Sequence, residues 1–137
     1  MIVNTLTAKA VSEGKITIFG GKQFRPLLHV KDAAQAIVDV LETTDNGVFN
    51  LSMKNINMLD LAKLVKFQIP CKLEVVKTTT EDSRNYRVTA HKAKATFGFN
   101  PIRTISNGVE EIESVIRERI KDPNSSRYSN QGFLNVN

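Results

Sequence analysis

Arg25-Pro-Leu-Leu-His-Val-Lys-Asp32, followed at once by Ala33-Ala-Gln-Ala-Ile-Val-Asp-Val-Leu41, is the stretch on which the reading of the fold turns. Its first part reads as extended chain, with Pro26 suited to a sheet edge because it lacks an N–H. Asp32 is a good helix N-cap, and Gln35 three residues on completes an Asp-x-x-Gln capping box. The helix that follows is apolar at Ala33, Ala34, Ala36, Ile37, Val38, Val40 and Leu41. That stripe is too wide for a surface helix, so it expects cover on more than one side. Arg25 heads the extended part, and arginine grips phosphate through a rigid fork of donors.

Working outward, residues 2–13 place Ile2, Leu6 and Ala10 on one helical face, with Gly14 as a stop. Residues 16–19 read as a strand, Gly20-Gly21 as a turn, and residues 24–30 as a second extended piece. Asn46-Gly47 breaks the chain, and Val48-Phe-Asn-Leu51 reads as a short buried strand. Strand, helix and strand in that order suggest one crossover unit of a parallel sheet. One unit cannot make a doubly wound sheet.

Further on, Asn57 caps a helix over residues 58–67 with Leu61, Leu64 and Val65 inward, and Ile69-Pro70 ends it. Residues 72–76 form a strand. Residues 77–87 are polar and read as a loop ending in the extended Tyr86-Arg-Val88. Thr89 caps a short helix that Gly98 closes. Ser106 opens the last helix, lined by Val109, Ile112, Val115, Ile116 and Ile120. From Pro123 onward, Asn, Ser and Gly dominate and an irregular tail is expected.

The chain has 137 residues, 41% hydrophobic and 24% charged, which suits one soluble domain with a modest core. No apolar run approaches the roughly 20 residues that cross a bilayer, and Met1-Ile-Val-Asn lacks the layout of a signal peptide. A single cysteine, Cys71, excludes an internal disulfide and suits a cytoplasmic setting. The net charge of +5 favours an anionic partner. The basic residues are scattered and no aromatic ribbon accompanies them, so nucleic acid is disfavoured. No second ligand stands at helical spacing from His91, so no metal site is read. His29 lies in an apolar stretch and reads as a hydrogen-bonded structural residue rather than a catalyst.

Five pieces occur in a fixed order: Lys15-Ile-Thr-Ile-Phe-Gly20, Arg25-Pro-Leu-Leu-His-Val-Lys-Asp32, Val48-Phe-Asn50, Lys92-Ala93 and Phe97-Gly-Phe-Asn-Pro101. Together they resemble the C-terminal half of the NAD-dependent sugar-nucleotide epimerases and dehydratases, the extended short-chain dehydrogenase/reductase family. The resemblance implies an α/β fold: a substrate-binding portion with a small mixed sheet and helices, lacking most of the Rossmann sheet. It spans residues 1–122, with 123–137 as the tail. The family's glycine-rich dinucleotide turn is not found here, since Gly20-Gly21 has neither the spacing nor a following helix. Its Tyr-x-x-x-Lys acid/base pair is also missing, because Ala90 follows Tyr86 and Gly132 follows Tyr128 at the fourth place. The expectation is therefore a truncated portion that is inactive alone and holds no cofactor by itself, with NAD(P) implied for the complete enzyme.

The resemblance further implies that a nucleoside-diphosphate sugar lies across this portion. Arg25 reaches a phosphate, and Thr17 and Phe19, which share a strand face, pack on the base. Phe19 reads equally well as plain core. The stretch Glu81-Asp-Ser-Arg-Asn-Tyr86 resembles the family's closing loop, with Asp82 accepting from ribose hydroxyls, Arg84 as a second clamp and Tyr86 as a packing or hydroxyl partner. A competing expectation is a non-catalytic interaction module, in which the apolar helix 33–41 binds a partner protein or a second copy.

Overall fold

The computed structural model of the chain describes residues 2–77 and 85–120, with 122, 123 and 125. The elements run α1 (Ile2–Glu13), β1 (Lys15–Phe19), β2 (Phe24–Leu27), α2 (Val30–Leu41), β3 (Lys54–Asn57), α3 (Met58–Gln68), β4 (Lys72–Val76), α4 (His91–Phe97) and α5 (Ile105–Arg119). Strands β1 and β4 pair in parallel, with Ile16 opposite Leu73 and Phe19 opposite Val76. Strands β2 and β3 pair antiparallel, with Arg25 opposite Ile56. The result is a mixed α/β arrangement of two small sheets with helices.

Alternation along β1 sends Ile16 and Ile18 into the core, where they are 0% and 3% exposed, and leaves Thr17 and Phe19 on the other face. The core is closed by Leu6 and Ala10 of α1, Leu61, Ala62 and Val65 of α3, and Val109 of α5. Full burial of a side chain such as Leu61 contributes roughly 1.5–3 kcal/mol. Asn57 caps α3 as its sequence position implies, its side chain accepting from Asp60 N at 2.8 Å. Gly98 closes α4 at φ 72°. A second, smaller cluster joins Ala36 to Ala93 and Phe99, and the Phe49 ring meets the Phe97 ring edge-on at 5.3 Å.

Several expectations are corrected. Residues 48–51 form no strand: Val48 is 83% exposed, its carbonyl accepts from Lys92 Nζ at 3.2 Å, and Phe49 sits against Phe97. A strand needs a ladder partner, and none of the described strands lies beside these residues. The partner of β2 is instead β3, in antiparallel sense, so the parallel crossover runs from β1 to β4.

Asp32 is not the cap of α2. The helix begins at Val30, and His29 caps it by accepting from Lys31 N through Nδ1 at 3.2 Å. Gln35 bonds Asp39 rather than completing a capping box. The last helix opens at Thr104, in a reciprocal capping box with Asn107, two residues before Ser106. Thr89 accepts from His91 N at 3.4 Å, but Ala90 holds the cap position of α4.

The wide stripe of α2 is covered on one side only. Asp32 and Ala36 are buried, while Val30, Ile37, Val38 and Leu41 stand 54–79% exposed. The described residues supply no second cover. Of the expected tail, only Pro123 and Ser125 fall within the described residues.

Candidate functional site

The turn after β1 separates two of the expected ligand residues, Phe19 at the end of β1 and Arg25 near the start of β2. Gly20 N continues the ladder to Val76 O at 3.0 Å. Gly21, at φ 115°, packs so closely on α3 that an added Cβ would stand 3.2 Å from Leu59 Cβ. Gln23 is buried and ties this turn together, accepting from Gly21 N at 2.9 Å and donating to Phe19 O at 3.1 Å. Phe19 is thereby fixed at the C-terminal end of β1 with 59% of its surface exposed, so it is not core.

Arg25 follows on β2 and donates from Nη1 to Phe24 O at 2.8 Å. Its guanidinium carbon lies 6.0 Å from the centre of the Tyr86 ring, at the outer reach of a cation–π contact. The segment carrying Tyr86 is held at both ends. Asn85 Oδ1 accepts from Phe24 N at 3.0 Å, and the Asn55 amide brackets Val88, donating to its carbonyl and accepting from its N–H, both at 2.9 Å. Arg25 and Tyr86 are thus brought together across 61 residues of chain by amides that the sequence reading passed over.

Arg87 also escaped that reading. Its guanidinium lies on the Phe24 ring at 3.6 Å from the centroid. The sequence shows only an arginine following a tyrosine, and the ring that Arg87 contacts sits on another strand. Thr17 lies two residues from Phe19 on the same face of β1. Asp82 and Arg84 lie outside the described residues. A cleft of about 230 Å³ runs between β2 and α5, and another of about 670 Å³ lies beside Asn55 and His91; none of Thr17, Phe19, Arg25 or Tyr86 lines either. The candidate residues therefore lie outside both clefts, with Phe19 at the C-terminal end of β1 and Arg25 near the start of β2.

His29 is structural. Besides capping α2, its Nε2 stands 3.6 Å from Glu111, whose carboxyl Lys31 holds below the ordinary value through a 3.0 Å hydrogen bond. Asp32 is 4% exposed. Burial opposes its charge, but the backbone N–H and guanidinium of Arg103 outweigh that and keep its carboxyl below the ordinary value.

The Gly20-Gly21 turn is not shaped for a dinucleotide pyrophosphate. It leads into β2 rather than a helix, and its second glycine is packed on Leu59. No row of helix N–H groups is left there for a pyrophosphate.

Comparison with known proteins agrees with this architecture. The NAD dependent epimerase/dehydratase family matches residues 1–52. UDP-glucuronic acid decarboxylase 1 of Arabidopsis thaliana is 28% identical over 123 residues, covering 87% of this chain and 28% of the relative. UDP-glucuronic acid decarboxylase 3 of the same plant is 27% identical, covering 89% of this chain and 37% of the relative. Among solved structures, UDP-glucose 4-epimerase of Thermotoga maritima superposes with a TM-score of 0.74 at 24% identity, over 86% of this chain and 40% of that one. The ADP-L-glycero-D-manno-heptose-6-epimerase of Helicobacter pylori gives 0.73 at 17% identity, over 85% and 38%. The chain thus spans well under half the length of these proteins. In sequence and in fold it resembles a portion of the NAD-dependent epimerase/dehydratase family, the extended short-chain dehydrogenase/reductases.

Proposed function

We propose that this chain supplies the surface on which a nucleoside-diphosphate sugar lies in an NAD(P)-dependent epimerase or dehydratase. The single observation that carries the reading is Arg25 set beside Tyr86, on a segment anchored at Asn85 and Val88. In this reading Arg25 takes a phosphate of the diphosphate and Phe19 with Thr17 receives the base. Tyr86 packs on the ligand, while Asp82 and Arg84 serve as ribose acceptor and second clamp. Relatives named for UDP-glucuronic acid and UDP-glucose make uridine the base to try first.

The chain's own share of the work is affinity and orientation, which place the reacting carbon correctly. No Tyr-x-x-x-Lys pair occurs in it, so it shows no turnover alone. The free thiol of Cys71, pushed up by burial, accords with work in the cytoplasm. Calorimetry with UDP and with uridine tests the reading. UDP binding at least tenfold tighter than uridine is expected; equal affinity, or no binding of either, contradicts it.

The exposed face of α2 favours a second reading, in which the fold serves as an interaction module. Val30, Ile37, Val38 and Leu41 present contiguous apolar surface of a kind that seldom stays uncovered. A second copy of the chain is the simplest cover.

A further inference from the structure

We propose that Asn46 is a self-modification site, at which the chain converts its own asparagine amide to a carboxylate with water as the only co-reactant. The sequence holds two Asn-Gly pairs, Asn46-Gly47 and Asn107-Gly108. A glycine after asparagine puts no side chain in the way of its own nitrogen. Gly47 N gives up its proton and attacks Asn46 Cγ. A new N–Cγ bond forms, the bond from Cγ to the side-chain nitrogen breaks, and that nitrogen leaves with the proton as ammonia. Water then opens the cyclic imide. Cleavage of the bond to Cγ gives aspartate, and cleavage of the bond to the backbone carbonyl carbon gives isoaspartate, whose main chain runs through Cβ.

The fold separates the two pairs. Both asparagines are exposed, so access of water does not distinguish them. Asn107 stands in the capping box of α5, where its Oδ1 accepts from Thr104 N at 2.9 Å and from Thr104 Oγ1 at 2.8 Å. Gly108 N, the atom that has to attack, donates to Thr104 O at 3.3 Å. Ring closure there requires the first turn of the helix to open. Asn46 and Gly47 lie in the irregular stretch between α2 and β3, and neither makes a hydrogen bond among the described residues. Gly47 has φ 132°, outside helical and strand geometry. The chain is anchored just beyond the pair, where Lys92 Nζ donates to Val48 O at 3.2 Å. A Cβ added at Gly47 would stand 3.0 Å from the same ammonium. The new carboxylate therefore forms one residue from a place where a cation already meets the backbone, in the loop that follows the uncovered helix α2.

Trypsin tells the pairs apart: cleavage after Lys31 and Lys54 releases residues 32–54, and cleavage after Arg103 and Arg117 releases residues 104–117. The whole chain is incubated at mildly alkaline pH, folded and in denaturant, and its peptides are compared by mass spectrometry with a zero-time sample. In the folded chain Asn46 gains the aspartyl and isoaspartyl forms at least about tenfold faster than Asn107, because α5 must first open locally. In denaturant the two rates come within about threefold of each other, since the native hydrogen bonds are gone. Asn46→Gln, whose amide stands one methylene farther from the attacking nitrogen, removes the conversion from residues 32–54. Equal rates at Asn46 and Asn107 in the folded chain, including no conversion of either, overturn the proposal. So does conversion that falls on Asn50 instead, or a difference between the pairs that persists undiminished in denaturant.

Discussion

Arg103 holds Asp32 twice, by its backbone N–H at 2.9 Å and by its guanidinium, tying the first turn of α2 to the residues that lead into α5. The carboxylate is buried and the arginine is not, so the pair is asymmetric. Asp32→Ala leaves the part-buried Arg103 N–H and guanidinium without their acceptor and is expected to cost about 1–3 kcal/mol. Denaturant unfolding measures it.

The same pair sets a pH dependence. The carboxyl of Asp32 is held below its ordinary value in the folded chain. Its contribution is therefore present above the ordinary carboxylate pKa of about 3.9 and is lost as pH falls through the lowered value. Thermal melts from pH 7 to pH 2 are expected to show the gap between wild type and Asp32→Ala closing below about pH 4. A constant gap contradicts the assignment.

These relationships show where the sequence was legible. Helices α1 and α3 and strands β1 and β4 follow from local signals: the 3.6-residue spacing of Leu6 and Ala10, the Asn57 cap and the alternation of Ile16 and Ile18. The cap of α2 was misread because Asp32 is an equally good N-cap locally, and what moved it inward was Arg103, 71 residues away. The strand expected at residues 48–51 failed for a related reason, since β-forming residues without a ladder partner remain irregular. Arg25 and Tyr86 were named as candidates through the family resemblance, and the structure sets the two near each other. The contact of Arg87 with Phe24 was not legible, because the ring lies on a strand more than sixty residues away in sequence.

Gly98 offers a clean test of backbone conformation. It sits at φ 72°, and an added Cβ meets nothing within 4 Å. Gly98→Ala is thus expected to lose only the cost of a left-handed residue, about 1–2 kcal/mol, with no change in packing. A loss several times larger in denaturant unfolding contradicts the open environment.

Leu61 is 0% exposed at the centre of the core that positions the turn at Gly21. Leu61→Ala is expected to destabilise the chain by about 2–5 kcal/mol, the range for emptying a buried leucine site. A loss below about 1 kcal/mol, read from chemical unfolding, is incompatible with that packing.

The uncovered face of α2 predicts behaviour in solution. Light scattering is expected to give the wild-type chain a mass above the monomer and Leu41→Glu the monomer mass, with the melting temperature little changed because Leu41 is 79% exposed. A wild type that stays monomeric across the accessible concentration range removes self-association as the role of this face.

The central claim is that Arg25 grips a diphosphate. The most direct measurement is the calorimetric Kd of UDP for the wild type and for Arg25→Ala, both first shown to unfold at the same temperature. Loss of a charge-assisted hydrogen bond of about 1.5–3 kcal/mol corresponds to a rise in Kd of roughly ten- to a hundredfold, and that is the result expected. An unchanged Kd in the variant contradicts the account.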